Sequence, residues 1–255
     1  MFSIHKFGAT ITSWTVEGQE LIFVSPKAVL DGSKAIRGGV PICWPAFGPW
    51  SLGSQHGFAR SSLWEVTSSS QDSVSLSLAE SKAWDEKFLL TFTVRLAETS
   101  LEMELTAKNC NPGPDQPIQF TTALHTYFRV EDVEKASISG LTGLEYLDKT
   151  EGGARSREER EEVKLTGWTD RVYLNSPDCL TIHGPPGGKI LFSKTNLADT
   201  VVWNPWEEKA SEMGDLGSGN WGGFVCVEAG QCVTPVSLES GQEWTCGHKL
   251  QYCKL

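Results

Sequence analysis

Hydrophobic alternation with period two recurs along this chain and restricts what it can fold into. Phe88, Leu90, Phe92, Val94 and Leu96 alternate with Leu89, Thr91, Thr93 and Arg95. Leu101, Met103 and Leu105 alternate with Glu102, Glu104 and Thr106, and Val74, Leu76 and Leu78 with serines. Successive side chains of a strand point to opposite faces, so each segment predicts an antiparallel strand with one buried face and one wet face. Apolar runs bounded by turn residues predict further strands at 10–16, 21–24, 119–130, 163–165, 172–174, 189–193, 201–203, 224–228, 233–238 and 243–251. That many short strands in 255 residues, with 25 Gly and 12 Pro, predict an all-β, antiparallel sandwich of large size. No repeat, low-complexity tract or linker divides the chain, so one domain over 1–255 is expected. Two charged stretches, 151–162 (EGGARSREEREE) and 207–215 (EEKASEMGD), read as solvated loops.

Charge narrows the partners. Lys and Arg total 22 against 32 Asp and Glu, a formal net charge of −10. A chain so acidic is not a general phosphate-backbone binder, which sets aside nucleic acid and anionic membrane surfaces. No run approaches the roughly 18 apolar residues of a membrane span, and Met1 to Lys6 lacks a basic region followed by an apolar stretch. Seven scattered Cys without a C-x-x-C pair read as reduced structural thiols, so a cytoplasmic location is expected.

The most informative feature is a gap in that acidity. A 33-residue window of average composition should hold about four acids, yet Gly32 to Trp64 holds none while carrying Lys34, Arg37, His56 and Arg60. The window is rich in Gly and Pro, so it predicts mostly loop, where ligand contacts concentrate on a rigid sheet. Arginine offers a planar fork suited to phosphate or carboxylate; the alternative is a surface loop with incidental arginines. In QFTTALHTYFRV, Phe120, Leu124 and Phe128 share one face of the predicted strand, and Thr121, Ala123, His125 and Tyr127 the other. A histidine on that floor of small and polar groups is either an acid or base near neutral pH or a satisfied structural residue. Glu228 closes the apolar segment Phe224 to Val227, where a buried carboxylate is costly unless it is hydrogen-bonded or functional. Asp170 precedes a strand and has a turn-capping alternative. Trp44, Trp50, Trp203, Trp206 and Trp221 suit either sugar stacking or core filling.

Six motifs then carry a resemblance. DGSKAIRGGVPICWPAFG (from Asp31), QHGFAR (from Gln55), ALHTYFRV (from Ala123), DRVYL (from Asp170), VVWNPW (from Val201) and FVCVEAG (from Phe224) occur in one order over nearly the whole chain. Together they resemble the hexose-6-phosphate mutarotases, or glucose-6-phosphate 1-epimerases, of the galactose-mutarotase-like superfamily. The resemblance implies a β-supersandwich with the sugar in a groove on its concave face. It implies His125 as general acid and Glu228 as general base, beginning as imidazolium and carboxylate or cycling through those states. It further implies Asp170 binding sugar hydroxyls, Arg37, Gln55 and Arg60 binding substrate with the arginines mainly at its phosphate, and His56 lining the site near the ring. The reaction implied is interconversion of the anomers of a small-molecule hexose 6-phosphate by a monomer, with no metal and no organic cofactor. Three alternatives remain: a sugar-phosphate-binding protein without turnover, an aldose 1-epimerase for free hexoses, and a glycoside-cleaving enzyme using Asp170 and Glu228.

Overall fold

In the computed structural model, which describes residues 1–255, the strands form three antiparallel sheets. The largest has nine strands. It runs from Glu162–Lys164 at one edge through Ser137–Ser139, Cys179–His183, Gly188–Thr195, Glu243–Lys254, Ser100–Asn109, Phe88–Leu96 and Ser73–Leu78 to Glu65–Ser69. The second has eight: Ala154–Arg157, Glu145–Asp148, Thr169–Tyr173, Asp199–Asn204, Phe224–Leu238, Ile118–Leu124 and Ile42–Cys43, with Tyr127–Arg129 also pairing Phe224–Leu238. Phe2–His5, Thr10–Val16 and Gln19–Glu20 form a small third sheet.

The two large sheets bury their surfaces differently, and the difference places the site. In the strand Ser100–Asn109 of the nine-stranded sheet the alternation is strict from Leu101 on: Leu101, Met103, Leu105 and Ala107 are buried, while Glu102, Glu104, Thr106 and Lys108 between them reach solvent. In the eight-stranded sheet every residue from Phe224 to Gly230 is buried, because loops cover the face turned away from the partner sheet. Val225, Val227 and Ala229 enter the 49-residue core shared with the nine-stranded sheet. Phe224 and Cys226, of opposite parity, pack with Phe23, Tyr127, Ala210 and Leu216 on the loop-covered face. Glu228 shares their parity and therefore points to that face.

Several sequence expectations are corrected. The stretch 207–215 is not a solvated loop: it falls largely within the α-helix Trp206–Ser211 and the turn after it, with Ala210 and Asp215 buried. The stretch 151–162 is solvated over most of its length, but it pairs as the edge strand Ala154–Arg157 and buries Glu158. There Glu158 receives both ends of the Arg160 fork and the Tyr173 hydroxyl, which offsets the cost of burying its charge. Residues 21–24 form only the isolated bridges Ile22 to Phe128 and Val24 to Gly38, since the chain there serves short neighbours on both sides. The segments 224–228 and 233–238 are one strand with a register shift between Gln231 and Val236. The segment 119–130 breaks at His125 and Thr126, yet Leu124 opposes Ala229 and Tyr127 opposes Cys226, the same register on both sides of the break. The predicted faces of that segment survive for this reason.

Outside the site, His248 gives the fold a pH dependence. It is buried against Phe192, with Nδ1 3.0 Å from the Ser193 carbonyl and Nε2 unpartnered. Burial pushes its pKa down to about 4. A depressed histidine stabilises above its unfolded pKa of roughly 6.5, and that stability is lost as pH falls toward the folded value. Between pH 6.5 and 4 this ring should remove about 3 kcal/mol of stability. His248→Asn, which keeps an N–H for Ser193, should flatten that part of the profile of urea midpoint against pH. A wild-type slope in the variant would refute the assignment.

Candidate active site

Sheet register brings the candidate groups together. In an antiparallel sheet, paired residues project to the same face. Asp170 pairs Trp203, Trp203 pairs Cys226, and Cys226 pairs Tyr127, so four strands lay one row across the loop-covered face. Val201 and Glu228 pair in the next row. Above these rows lies a cavity of about 290 Å³, lined among others by all seven predicted residues: Arg37, Gln55, His56, Arg60, His125, Asp170 and Glu228.

The acid-free window forms the wall facing the sheet, and close backbone contact fixes it there. Gly57 has φ +68°, and a Cβ at that position would overlap the Trp44 carbonyl oxygen, so only glycine fits. His56 beside it also has a positive φ of 67°, a strained state for a residue with a Cβ. Its Nδ1 accepts from the Gly48 N–H at 3.1 Å, which aims the ring across the cavity to 5.8 Å from the His125 ring.

Glu228 and His125 form the centre. Glu228 Oε1 lies 3.4 Å from His125 Nδ1, with the two side chains 1% and 9% exposed. Glu228 Oε2 is buried without a hydrogen-bond partner, as is His125 Nδ1, whereas His125 Nε2 keeps access to the cavity. Tyr127 stacks on the imidazole at 4.8 Å and Trp203 meets it edge-on at 5.8 Å, which fixes the ring plane. Burial, with the charge of Asp170 adding to it, pushes the Glu228 carboxyl well above the usual range. Burial, then His56 and the charges of Arg60 and Arg37, pushes His125 well below its usual value. Both shifts disfavour the charged forms, so carboxylate and imidazolium are states the pair would cycle through. The charged and neutral forms hold the same number of protons and differ by one transfer along the 3.4 Å contact. Burial also raises Asp170, with Lys149 opposing the shift and Asp148 adding to it.

The structure also supplies groups that sequence reasoning missed. Lys149, Phe47, Trp168, Val201, Lys209 and Met213 line the same cavity. Lys209 and Met213 lie in the stretch read as solvated. Of the five tryptophans singled out, Trp203 lines the cavity, Trp44 is core, Trp50 packs against the core, and Trp206 and Trp221 pair with each other at 4.7 Å. Trp168, 40% exposed at the rim with Lys209 Nζ 5.2 Å from its ring centre, was not among them. Arg37 donates Nε to Asp215 at 3.1 Å and lies 3.4 Å from the Tyr127 hydroxyl through Nη1. No group of three or more His, Cys, Asp or Glu side chains converges as a metal cage requires.

Known proteins are similar to this chain in sequence and fold. The sequence profile described as aldose 1-epimerase matches residues 1–252. A protein of Cenchrus ciliaris named "Putative glucose-6-phosphate 1-epimerase" is 34% identical over 257 residues, spanning 94% of this chain and 78% of its own. A protein of the same name from Escherichia coli K12 is 34% identical over 239 residues, 87% of this chain and 76% of its own. The crystal structure of a "putative mutarotase" from Salmonella typhimurium superposes with a TM-score of 0.90 at 28% identity, covering all of this chain and 87% of that one. The profile match runs through both large sheets and every strand that carries the cavity, and the chain belongs to the aldose 1-epimerase family.

Proposed function

We propose that this epimerase interconverts the α and β anomers of a hexose 6-phosphate, glucose 6-phosphate first among them. The observation that carries the reading is the buried Glu228–His125 pair, 3.4 Å apart, in a cavity whose other walls bear Arg37, Arg60, Lys149 and Lys209. The names of the two similar proteins, from Cenchrus ciliaris and Escherichia coli, support the phosphorylated substrate.

The chemistry follows from the proton count. Transfer of the carboxyl proton of Glu228 to His125 Nδ1 gives carboxylate and imidazolium, the base and acid that ring opening requires. Glu228 then takes the proton of the anomeric O1 hydroxyl while His125 Nε2–H protonates the ring oxygen O5. The C1–O5 bond breaks, O1 becomes the aldehyde oxygen, and the pair is again a protonated carboxyl and a neutral imidazole. Rotation about C1–C2 presents the other carbonyl face. Reclosure returns the O5 proton to His125 and the Glu228 proton to O1, giving the other anomer. Asp170, two strands from Glu228 on the same face, is placed to accept sugar hydroxyls, with Trp168 and Trp203 offering apolar surface.

The test is magnetization-transfer NMR of exchange between anomers, across phosphorylated and free hexoses. Acceleration that favours the 6-phosphates is expected. Equal acceleration of free glucose would assign the protein to unphosphorylated aldoses, and calorimetric binding without any acceleration would make it a binding protein.

A further inference from the structure

No formed side-chain hydrogen bond fixes the plane of the His125 imidazole. Its Nδ1 stands 3.4 Å from Glu228 Oε1 but makes no hydrogen bond there. Tyr127 supplies the plane: its ring lies 4.8 Å from the imidazole and 11° from parallel. Same-face neighbours along an extended strand stand about 6.6 Å apart, whereas this chain leaves strand geometry at His125 and Thr126, between the two rings, which close to stacking distance. The backbone after Arg37 pins both residues. The Gly39 carbonyl accepts from the Tyr127 N–H and the Pro41 carbonyl from the His125 N–H, each at 2.9 Å. Gly39 has φ +76°, and a Cβ there would overlap the Ile11 carbonyl oxygen, so only glycine brings the segment this close.

Tyr127 has a second attachment at its other end. Its hydroxyl accepts from Arg37 Nη1 at 3.4 Å, and Arg37 Nε donates to Asp215 at 3.1 Å, which leaves Nη2 without a protein partner in a residue that lines the cavity. The phenol is buried, 5.9 Å edge-on from Trp203 and 5.2 Å from Phe224, and does not itself line the cavity. What it contributes to the reaction therefore passes through His125 and Arg37. A phenylalanine would fill the same space, and only the hydroxyl reaches the arginine. Given His125 as the acid of anomer exchange, on which this step rests, we infer that Tyr127 is a positioning residue with two separable parts: its ring sets the plane in which His125 presents Nε2, and its hydroxyl holds Arg37 toward the substrate. Substrate binding and acid orientation are thus joined through one side chain that lies behind both.

The experiment compares wild type, Tyr127→Phe and Tyr127→Leu in anomer exchange of glucose 6-phosphate, with calorimetric binding of the same sugar. Tyr127→Phe keeps the stack and drops the hydroxyl, so KM and the calorimetric Kd should rise together by roughly 3- to 10-fold, the size of one hydrogen bond, with a smaller change in kcat. Tyr127→Leu drops both, so it should repeat that rise and also lower kcat roughly 10- to 100-fold, as displacing a catalytic group does. In a His125→Asn background the kcat gap between Phe and Leu should close, because no imidazole is left to orient. A phenol that only fills the core would give the same gap in both backgrounds, and that result would overturn the proposal. Wild-type KM in Tyr127→Phe, or wild-type kcat in Tyr127→Leu, would overturn it as well. Should Tyr127→Leu not fold, Tyr127→Met makes the same comparison. Wild-type enzyme that accelerates no exchange would overturn the acid assignment instead, and the Kd of Tyr127→Phe would still decide whether the hydroxyl holds Arg37.

Discussion

Glu228→Gln should slow anomer exchange by roughly 10²- to 10⁴-fold, the usual contribution of a positioned acid or base, while leaving the fold intact or more stable. The amide is isosteric and cannot take the O1 proton, so the loss should appear in kcat. His125→Asn should lose a similar factor, and the double variant little more than either alone, because the two groups exchange one proton and act as a unit. The stability effect has a definite sign. A carboxyl whose folded pKa is raised contributes stability below its unfolded value of roughly 4.3, and this is lost as pH rises through the folded pKa. Burial raises Glu228, so the advantage of Glu228→Gln over wild type should grow as pH rises from 5 to 9, read from urea midpoints. Wild-type exchange in Glu228→Gln would remove Glu228 from the mechanism. A stability difference independent of pH would show that the carboxyl is not held protonated.

Trp44→Ala should cost about 3–5 kcal/mol, as expected for removing a large buried aromatic side chain, and lower Tm by roughly 10 °C. Trp44 is fully buried among Phe58, Trp84, Phe88 and Phe120, with ring centres 4.8 to 5.7 Å away. Its backbone also anchors the acid-free window: the carbonyl accepts from Phe58 and Ala59, and its N–H reaches the His56 carbonyl. The cavity left by alanine would therefore loosen the wall carrying Phe47, His56 and Arg60, and exchange should fall with stability. Trp44→Phe should cost much less, since it refills most of the space and removes an indole N–H that is buried without a partner. Thermal unfolding of the two variants checks this. Equal losses would mean that the ring is not holding the window by packing.

How legible the protein was follows from which interactions are local. Thr10–Val16 was predicted to the residue because its run of β-branched and aromatic residues between Gly8 and Gly18 is a local signal. Cys179–His183 and Glu145–Asp148 were missed, since short strands in the middle of a sheet take their definition from neighbours on both sides. The helix Trp206–Ser211 was missed because EEKASEMGD has the composition of a solvated loop, and its burial of Ala210 comes from docking beside Leu216 and Phe224. Lys149 carried no signal, being one lysine beside an aspartate. Only the engagement of Asp148 by Arg171, which lies 23 residues further on, leaves that lysine free.

The sequence by itself determined most of the strands, the faces of the segment around His125, the acid-free wall, and the seven residues that meet in the cavity. Each rests on side-chain periodicity, backbone demands of glycine, or motif identity, and all three are written along the chain. Tertiary structure decided what those residues are chemically. It set Glu228 against His125 at 3.4 Å and, by burying both, pushed the carboxyl up and the imidazole down. It tied Arg37 to Asp215, 178 positions away, and left Arg60 and Lys149 unpaired. Protonation and free charge depend on which groups lie within a few ångströms and how much water remains between them, and those distances exist only once the sheets have closed over the core.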